Sequence, residues 1–242
     1  MASRKQKKSF LSSIADNQKT LHKNLEFTAT EQYKLLRANL SFTLPEVDGC
    51  AIIGVTSSMR GEGKSTTAIN LSYVLAEAGK KVVLVDADLR IPSIAKKMKI
   101  ASAPGLTDCL KGSHAEEFPV FESEHLPNWC IIPSGALPPN PSELLSSNRM
   151  KRVLDKLAEK YDYIIVDLPP VNLVSDALAI SEYITGMILV IREDYAEKKE
   201  LENCVRQLQL SNVNVLGCVM NESKFGASKY RRYRYKNYYK YK

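Results

Sequence analysis

Five stretches of the chain are continuously apolar and rich in β-branched residues: AIIGVT (51–56), KVVLVD (81–86), YDYIIVD (161–167), MILVI (187–191) and VNVLGCVM (213–220). A strand with one wet face alternates apolar and polar positions, whereas a strand covered on both faces does not. These runs therefore read as buried strands of a parallel sheet. Between them the period changes. KSTTAINLSYVLAEAG (64–79) sets Ile69, Tyr73 and Ala76 along one helical stripe and closes at Gly79, a C-terminal cap. NRMKRVLDKLAEK (148–160) and AEKKELENCVRQLQL (196–210) repeat the helical spacing, and LPPNPSELL (137–145) reads as a proline-rich turn with Ser142 and Glu143 serving the first turn of a short helix. Strands alternating with helices predict an α/β fold, a mostly parallel sheet with helices on both faces. From Phe225 onward neither period continues. The expected organisation is an N-terminal arm over 1–24, one domain over 25–224 and a tail over 225–242 that has no means to fold by itself.

With 242 residues and 44% hydrophobic content, the chain is long enough to bury a substantial core. No apolar run approaches the roughly 18 residues that cross a bilayer, and the basic N-terminus MASRKQKKSF lacks the apolar segment of a secretory signal. The five cysteines, Cys50, Cys109, Cys130, Cys204 and Cys218, are scattered, with no CxxC pair. That argues for a reducing cytoplasm and against a zinc or iron–sulfur site. Charge is uneven. Residues 1–24 carry a net +5 and residues 224–242 a net +8, so a chain of net +7 leaves −6 for the body between them. A mildly acidic body with basic ends directs attention to nucleic acid, to an anionic membrane surface, or to the body itself as the partner of those ends.

The first strand runs into SSMRGEGKSTT (57–67), the end of a phosphate-binding loop. Glycines let backbone N–H groups turn around phosphate oxygens, and the following helix presents its positive end. The candidate nucleotide-binding residues are Ser58, Arg60, Gly61, Glu62, Gly63, Lys64, Ser65 and Thr66. Ser58 stands where the usual pattern has a further glycine. Lys64 neutralises the β/γ-phosphates, and the Ser65 hydroxyl ligates Mg²⁺. Two strands end in acid: VVLVDADLR supplies Asp86 and Asp88, with Arg90 beyond them, and YIIVDLPP supplies Asp167. In open α/β sheets ligands bind beyond the carboxyl ends of the strands, so these carboxylates converge on the loop and make a Mg–nucleotide site. The expected metal set is Ser65, Asp86, Asp88 and Asp167.

Segments 57–67, 82–90 and 163–170 together resemble the bacterial tyrosine kinases of capsule and exopolysaccharide synthesis, P-loop proteins whose mark is an apolar run followed by Asp-x-Asp-x-Arg. Here those residues are Asp86, Asp88 and Arg90, and SGALPPNPSELL (134–145) and the terminal tyrosines extend the resemblance. It implies ATP and Mg²⁺ as cofactors, Lys64, Asp86 and Asp88 as catalytic residues, and Asp86 as the acceptor of the phenolic proton, although residue type alone lets Asp86 and Asp88 exchange roles. It also implies Asn221, after the last strand, as a reader of the adenine base. EQYKLLR (31–37) is close to a family motif of subunit contact, here Glu31, Lys34 and Arg37, with lysine in place of the middle arginine. The implied partners are further copies in a ring, a transmembrane adaptor that brings a cytoplasmic chain to the inner face of the membrane, and a cognate tyrosine phosphatase. Relatives of the partition and division type carry a signature lysine early in the loop. That position here is Met59, with Arg60 one residue late.

The last fourteen residues, KYRRYRYKNYYKYK, hold six tyrosines and seven cations. The resemblance makes Tyr230, Tyr233, Tyr235, Tyr238, Tyr239 and Tyr241 the phosphoacceptors, reached between subunits by a tail that extends about 60 Å. Full modification adds about −9 to −12 charges and reverses the tail's sign, which predicts release of the ring. Aromatics interleaved with cations also fit single-stranded nucleic acid, and a nucleotide-switched ATPase with a docking tail is the other competing class. Beside this nucleotide site, no nucleic acid is expected.

Overall fold

The structure is a computed structural model that describes residues 27–44, 49–113, 118–123 and 126–223. The basic arm (1–24) and the six tail tyrosines lie outside the described residues. Helix α1 (Phe27–Thr43) leads to strand β1 (Ala51–Ser57), helix α2 (Lys64–Glu77), β2 (Val82–Asp86) and the short helices α3 (Ile94–Met98) and α4 (Leu106–Lys111). Strands β3 (Phe121–Glu122) and β4 (Trp129–Ile132) follow, then α5 (Pro141–Leu145), α6 (Asn148–Ala158) and β5 (Tyr163–Asp167). Helix α7 (Asp176–Ala179), a 3₁₀ turn (Ser181–Tyr183), β6 (Gly186–Arg192), α8 (Lys198–Leu210) and β7 (Val215–Asn221) complete it.

The seven strands pair in the order β3-β4-β2-β5-β1-β6-β7. Every pairing is parallel except β3 with β4. The continuous apolar runs serve two cores at once. Along β2, Val83 and Val85 face the layer of α4, α6 and α8, while Val82 and Leu84 face the layer of α1, α2 and α3. β5 divides likewise, with Ile164 and Val166 on one side and Ile165 on the other. Burying both faces leaves the backbone ladders, each satisfied by its neighbour, as the main polar groups in the middle of the sheet, and the buried polar side chains Thr56, Ser57, Asp86 and Asp167 gather at the carboxyl ends of β1, β2 and β5.

Three expectations need adjustment. β7 is an edge strand with mostly exposed side chains, Val215 at 40% and Met220 at 56%, although its sequence reads as a buried run. An edge has one paired side only, so composition does not guarantee cover. The sequence reading misses β3 and β4 because four residues, Trp129–Ile132, are too short to register a period. The Trp129 indole N–H nevertheless reaches Ser72 Oγ at 3.0 Å, and its ring meets Tyr73 edge-on at 5.2 Å. Ser142 does not serve its helix end: it donates instead to Asp176, while Glu143 accepts from Asn140 at 2.6 Å.

Candidate active site

The parallel order brings the carboxyl ends of β1, β2 and β5 side by side, with Asp86 opposite Asp167 in the ladder. The loop after β1 turns twice through left-handed backbone, Gly61 at φ 83° and Gly63 at φ 96°, before α2 begins. A side chain at Gly63 would place its Cβ 2.0 Å from Asn221 Nδ2. Glycine is required there both for the torsion and for the close approach. Asn221 Nδ2 itself donates to the Glu62 carbonyl at 2.9 Å, so the end of β7 holds the loop.

The carboxylate of Glu62 is fully buried and braces the loop from within, accepting from Ser58 Oγ at 2.9 Å and from the Met59 N–H at 2.7 Å. The side chains of Ser58 and Glu62 thus face each other, and what they offer a phosphate is backbone. Arg60 is exposed at the rim. Thr66 Oγ1 accepts from Lys97 Nζ at 3.2 Å, a cation of α3 that the sequence reading does not single out.

Lys64 stands at the centre. Its Nζ lies 2.8 Å from Asp88 Oδ2 and 3.4 Å from both Asp167 Oδ1 and Ser65 Oγ. Burial pulls the ammonium pKa down, but Asp167 and Asp88 outweigh it and the net shift is upward. Asp86 moves the other way from the usual carboxylate range, pushed up to about 8 by burial and then by the charge of Asp167. Burial also raises Asp167, against the pull of Lys64. Asp86 Oδ2 accepts from the Ile94 N–H at 3.0 Å, whereas Asp86 Oδ1 and Asp167 Oδ2 are buried without a hydrogen-bond partner. Buried oxygens without partners are costly, and a magnesium ion or its waters would satisfy them.

Among the described residues no three acidic, cysteine or histidine side chains gather into a self-sufficient metal cage. That suits Mg²⁺, which is held through one or two carboxylates plus substrate phosphates rather than by an all-protein shell. The residues present fit Mg–ATP: Ser65, Asp88 and Asp167 beside Lys64, with Asp86 behind them.

Arg90 closes the next turn. It grips the buried Asp176 with two bonds, Nε to Oδ2 at 2.8 Å and Nη2 to Oδ1 at 3.0 Å, and reaches Ser142 Oγ at 3.3 Å. The signature arginine therefore ties the strand end of β2 to α5 and α7. On the opposite rim Arg192 lies over the Tyr195 ring at 4.9 Å, donates to the Gly61 carbonyl at 3.3 Å and pairs with Glu222 at 2.6 Å. Asp176, Arg192 and Tyr195 carry no local sequence signal, since their partners come from distant segments. The three residues of the expected subunit contact lie on α1. Lys34 pairs with Glu31 at 3.3 Å on the same helix, and Arg37 donates inward to the Val74 carbonyl at 2.7 Å.

Residues 50–218 match the family described as AAA domain. The tyrosine-protein kinase YwqD of Bacillus subtilis is 37% identical over 208 residues, which cover 85% of each chain. The tyrosine-protein kinase ptk of Acinetobacter johnsonii is 36% identical over 201 residues, 83% of this chain but 27% of that protein. Among solved structures, the kinase domain of the Escherichia coli tyrosine kinase ETK superposes with a TM-score of 0.73 at 30% identity, over 81% of this chain and 78% of that one.

Proposed function

The chain belongs to the bacterial tyrosine-protein kinases, and on that premise we propose that it uses Mg–ATP to phosphorylate its own C-terminal tyrosines between subunits of a ring. The observation that carries this reading is Lys64 held at 2.8 Å and 3.4 Å between Asp88 and Asp167, at the N-terminus of α2. The loop backbone and Lys64 hold the phosphates of ATP. Mg²⁺, when bound by Ser65 with Asp88 and Asp167, would neutralise phosphate charge.

The phenol oxygen forms a bond to the γ-phosphorus, the bond from that phosphorus to the β,γ-bridging oxygen breaks, and ADP leaves. The phenolic proton passes to Asp86, whose burial makes it more basic than an ordinary carboxylate. Lys64 releases its carboxylates to meet the transferring group, and much of the acceleration is positioning and charge stabilisation. Asn221, beside Gly63, stands next to the bound nucleotide and reads the base.

Glu31, Lys34 and Arg37 on α1 make the subunit contact, and Tyr230, Tyr233, Tyr235, Tyr238, Tyr239 and Tyr241 are the acceptors. No helix among the described residues is long and apolar enough to cross a membrane. A transmembrane adaptor recruits the kinase to the inner face of the membrane, a cognate phosphatase resets it, and the process controlled is capsular or extracellular polysaccharide synthesis. Family membership supports these steps, as does the Acinetobacter relative, in which the matching region is 27% of a longer protein.

The test is incubation with Mg–ATP followed by mass spectrometry of the C-terminal peptides, using intact protein, Lys64→Met, and a mixture of the two. Phosphate on several of residues 230–241, absent from Lys64→Met alone and restored on it in the mixture, is the expected result. ATP consumption with unmodified tyrosines would sink the proposal.

A further inference from the structure

Beside the phosphate loop a cleft of about 720 Å³ runs from Met59 and Arg60 to the start of α8. Leu173, Val174 and Tyr195 form an apolar and aromatic wall, and Glu197 and Glu200 stand on its rim. Glu197 is exposed, and Glu200 is fixed by a bond from Asn172 Nδ2 to its Oε2 at 2.9 Å. Resting on the tail-kinase reading above, we propose that this cleft docks the acceptor segment, residues 224–242 of a neighbouring copy, and that Glu197 and Glu200 select tyrosines flanked by lysine or arginine.

Three observations converge on that occupant. First, the segment carries eight cations and no acid, and each of its six tyrosines has a lysine or arginine within two residues. A phenol laid on the apolar wall would therefore always bring a cation to the acidic rim. Second, the described chain ends on this same side. Asn221 is bonded to the loop, and Glu222 pairs with Arg192, whose guanidinium covers Tyr195 of the cleft wall. Nineteen residues follow, spanning about 60 Å when extended, so a tail that sets out beside the loop of one copy is long enough to cross to the same cleft of a neighbour. Third, the cleft opens on the loop itself, because the Tyr195 hydroxyl lies 2.8 Å from where a Cβ of Gly61 would stand. A ring seated beside Tyr195 is thus adjacent to the phosphate-binding backbone.

The experiment uses the full-length protein with Mg–ATP and three synthetic peptides: KYRRYRY, the same peptide with each cation replaced by glutamine, and the same with each replaced by glutamate. The basic peptide is expected to exceed the glutamine peptide in kcat/KM by about tenfold, the effect of two exposed ion pairs of ordinary strength. In Glu197→Gln/Glu200→Gln, which keeps the Asn172 bond, that ratio falls to within about twofold of unity. Asp155→Asn removes an exposed acid on α6 and leaves the ratio in place. Persistence of the ratio in the double variant, or preference for the glutamate peptide, overturns the dock. Equal kcat/KM for all peptides in a protein that still modifies its own tail overturns the dock alone. ATP consumption with neither tail nor peptide modified overturns the tail-kinase reading, and the dock with it.

Discussion

Replacing Lys64 with methionine does more than silence transfer; it removes the one cation that, among the described residues, is hydrogen-bonded to the Asp88 and Asp167 carboxylates. Side-chain exposures at the cluster are 12% for Lys64, 6% for Asp88 and 0% for Asp167, with contacts of 2.8 Å and 3.4 Å. At an effective dielectric near 20, each attraction is on the order of 5 kcal/mol before desolvation. Desolvation offsets most of that, and removing one partner of a buried pair costs about 3–5 kcal/mol. The sign with pH follows from the shifts. The Lys64 pKa is raised from 10.5, so its pairing is fully present below that pH. Without the ammonium, Asp167, which burial already raises against the pull of Lys64, prefers its neutral form, and falling pH supplies the proton. Urea unfolding of nucleotide-free protein should therefore show Lys64→Met destabilised by about 3–5 kcal/mol at pH 8 and by clearly less at pH 5. Lys64→Met/Asp88→Asn should recover most of the loss at pH 8. An equal loss at both pH values, or a loss under about 1 kcal/mol at pH 8, would refute the reasoning and show a cluster screened by water.

Asp86→Asn should stabilise the nucleotide-free protein, since ionising a carboxylate of pKa about 8 costs the fold what an amide does not. The gain should grow from pH 4 to pH 8 in thermal melts, because the unfolded chain ionises near 3.8; a gain independent of pH would exclude this cause. Gly63→Ala forces a left-handed torsion of φ 96° on a β-carbon and drives it to 2.0 Å from Asn221 Nδ2. Torsion and lost hydrogen bond together cost about 2–3 kcal/mol, so calorimetric titration should find ADP affinity reduced tenfold or more. Unchanged affinity would mean that the loop can be held open in another way.

The acids of the site were legible because each follows a continuous apolar run: burial on both faces announces the strand, and the first carboxylate after it announces the edge where ligands bind. Asp86, Asp88 and Asp167 are readable in this way, and Lys64 and Ser65 through the glycine spacing. The rim was not legible. Arg90 and Asp176 are 86 positions apart, and Lys97 meets Thr66 across 31. Such pairs follow from strand order, which no local pattern encodes. Residue type also says nothing about direction. Ser58 and Glu62 sit inside a phosphate-loop pattern, yet their side chains turn to each other, and β7 reads as core while lying at an edge.

Arg37 donates to one of the last carbonyls of α2, the Val74 oxygen, in the turn where a helix runs out of backbone donors of its own. The same helix begins at Lys64, and its fourteen residues span about 21 Å as a single stiff rod. One end is therefore gripped by whatever fills the phosphate loop, and the other by a helix that lies at the protein's face. A neighbour that drew Arg37 outward would loosen the rod's far end without touching the reaction centre. Company and cargo are weighed on one beam, and a kinase built this way has a physical means of knowing whether it stands alone.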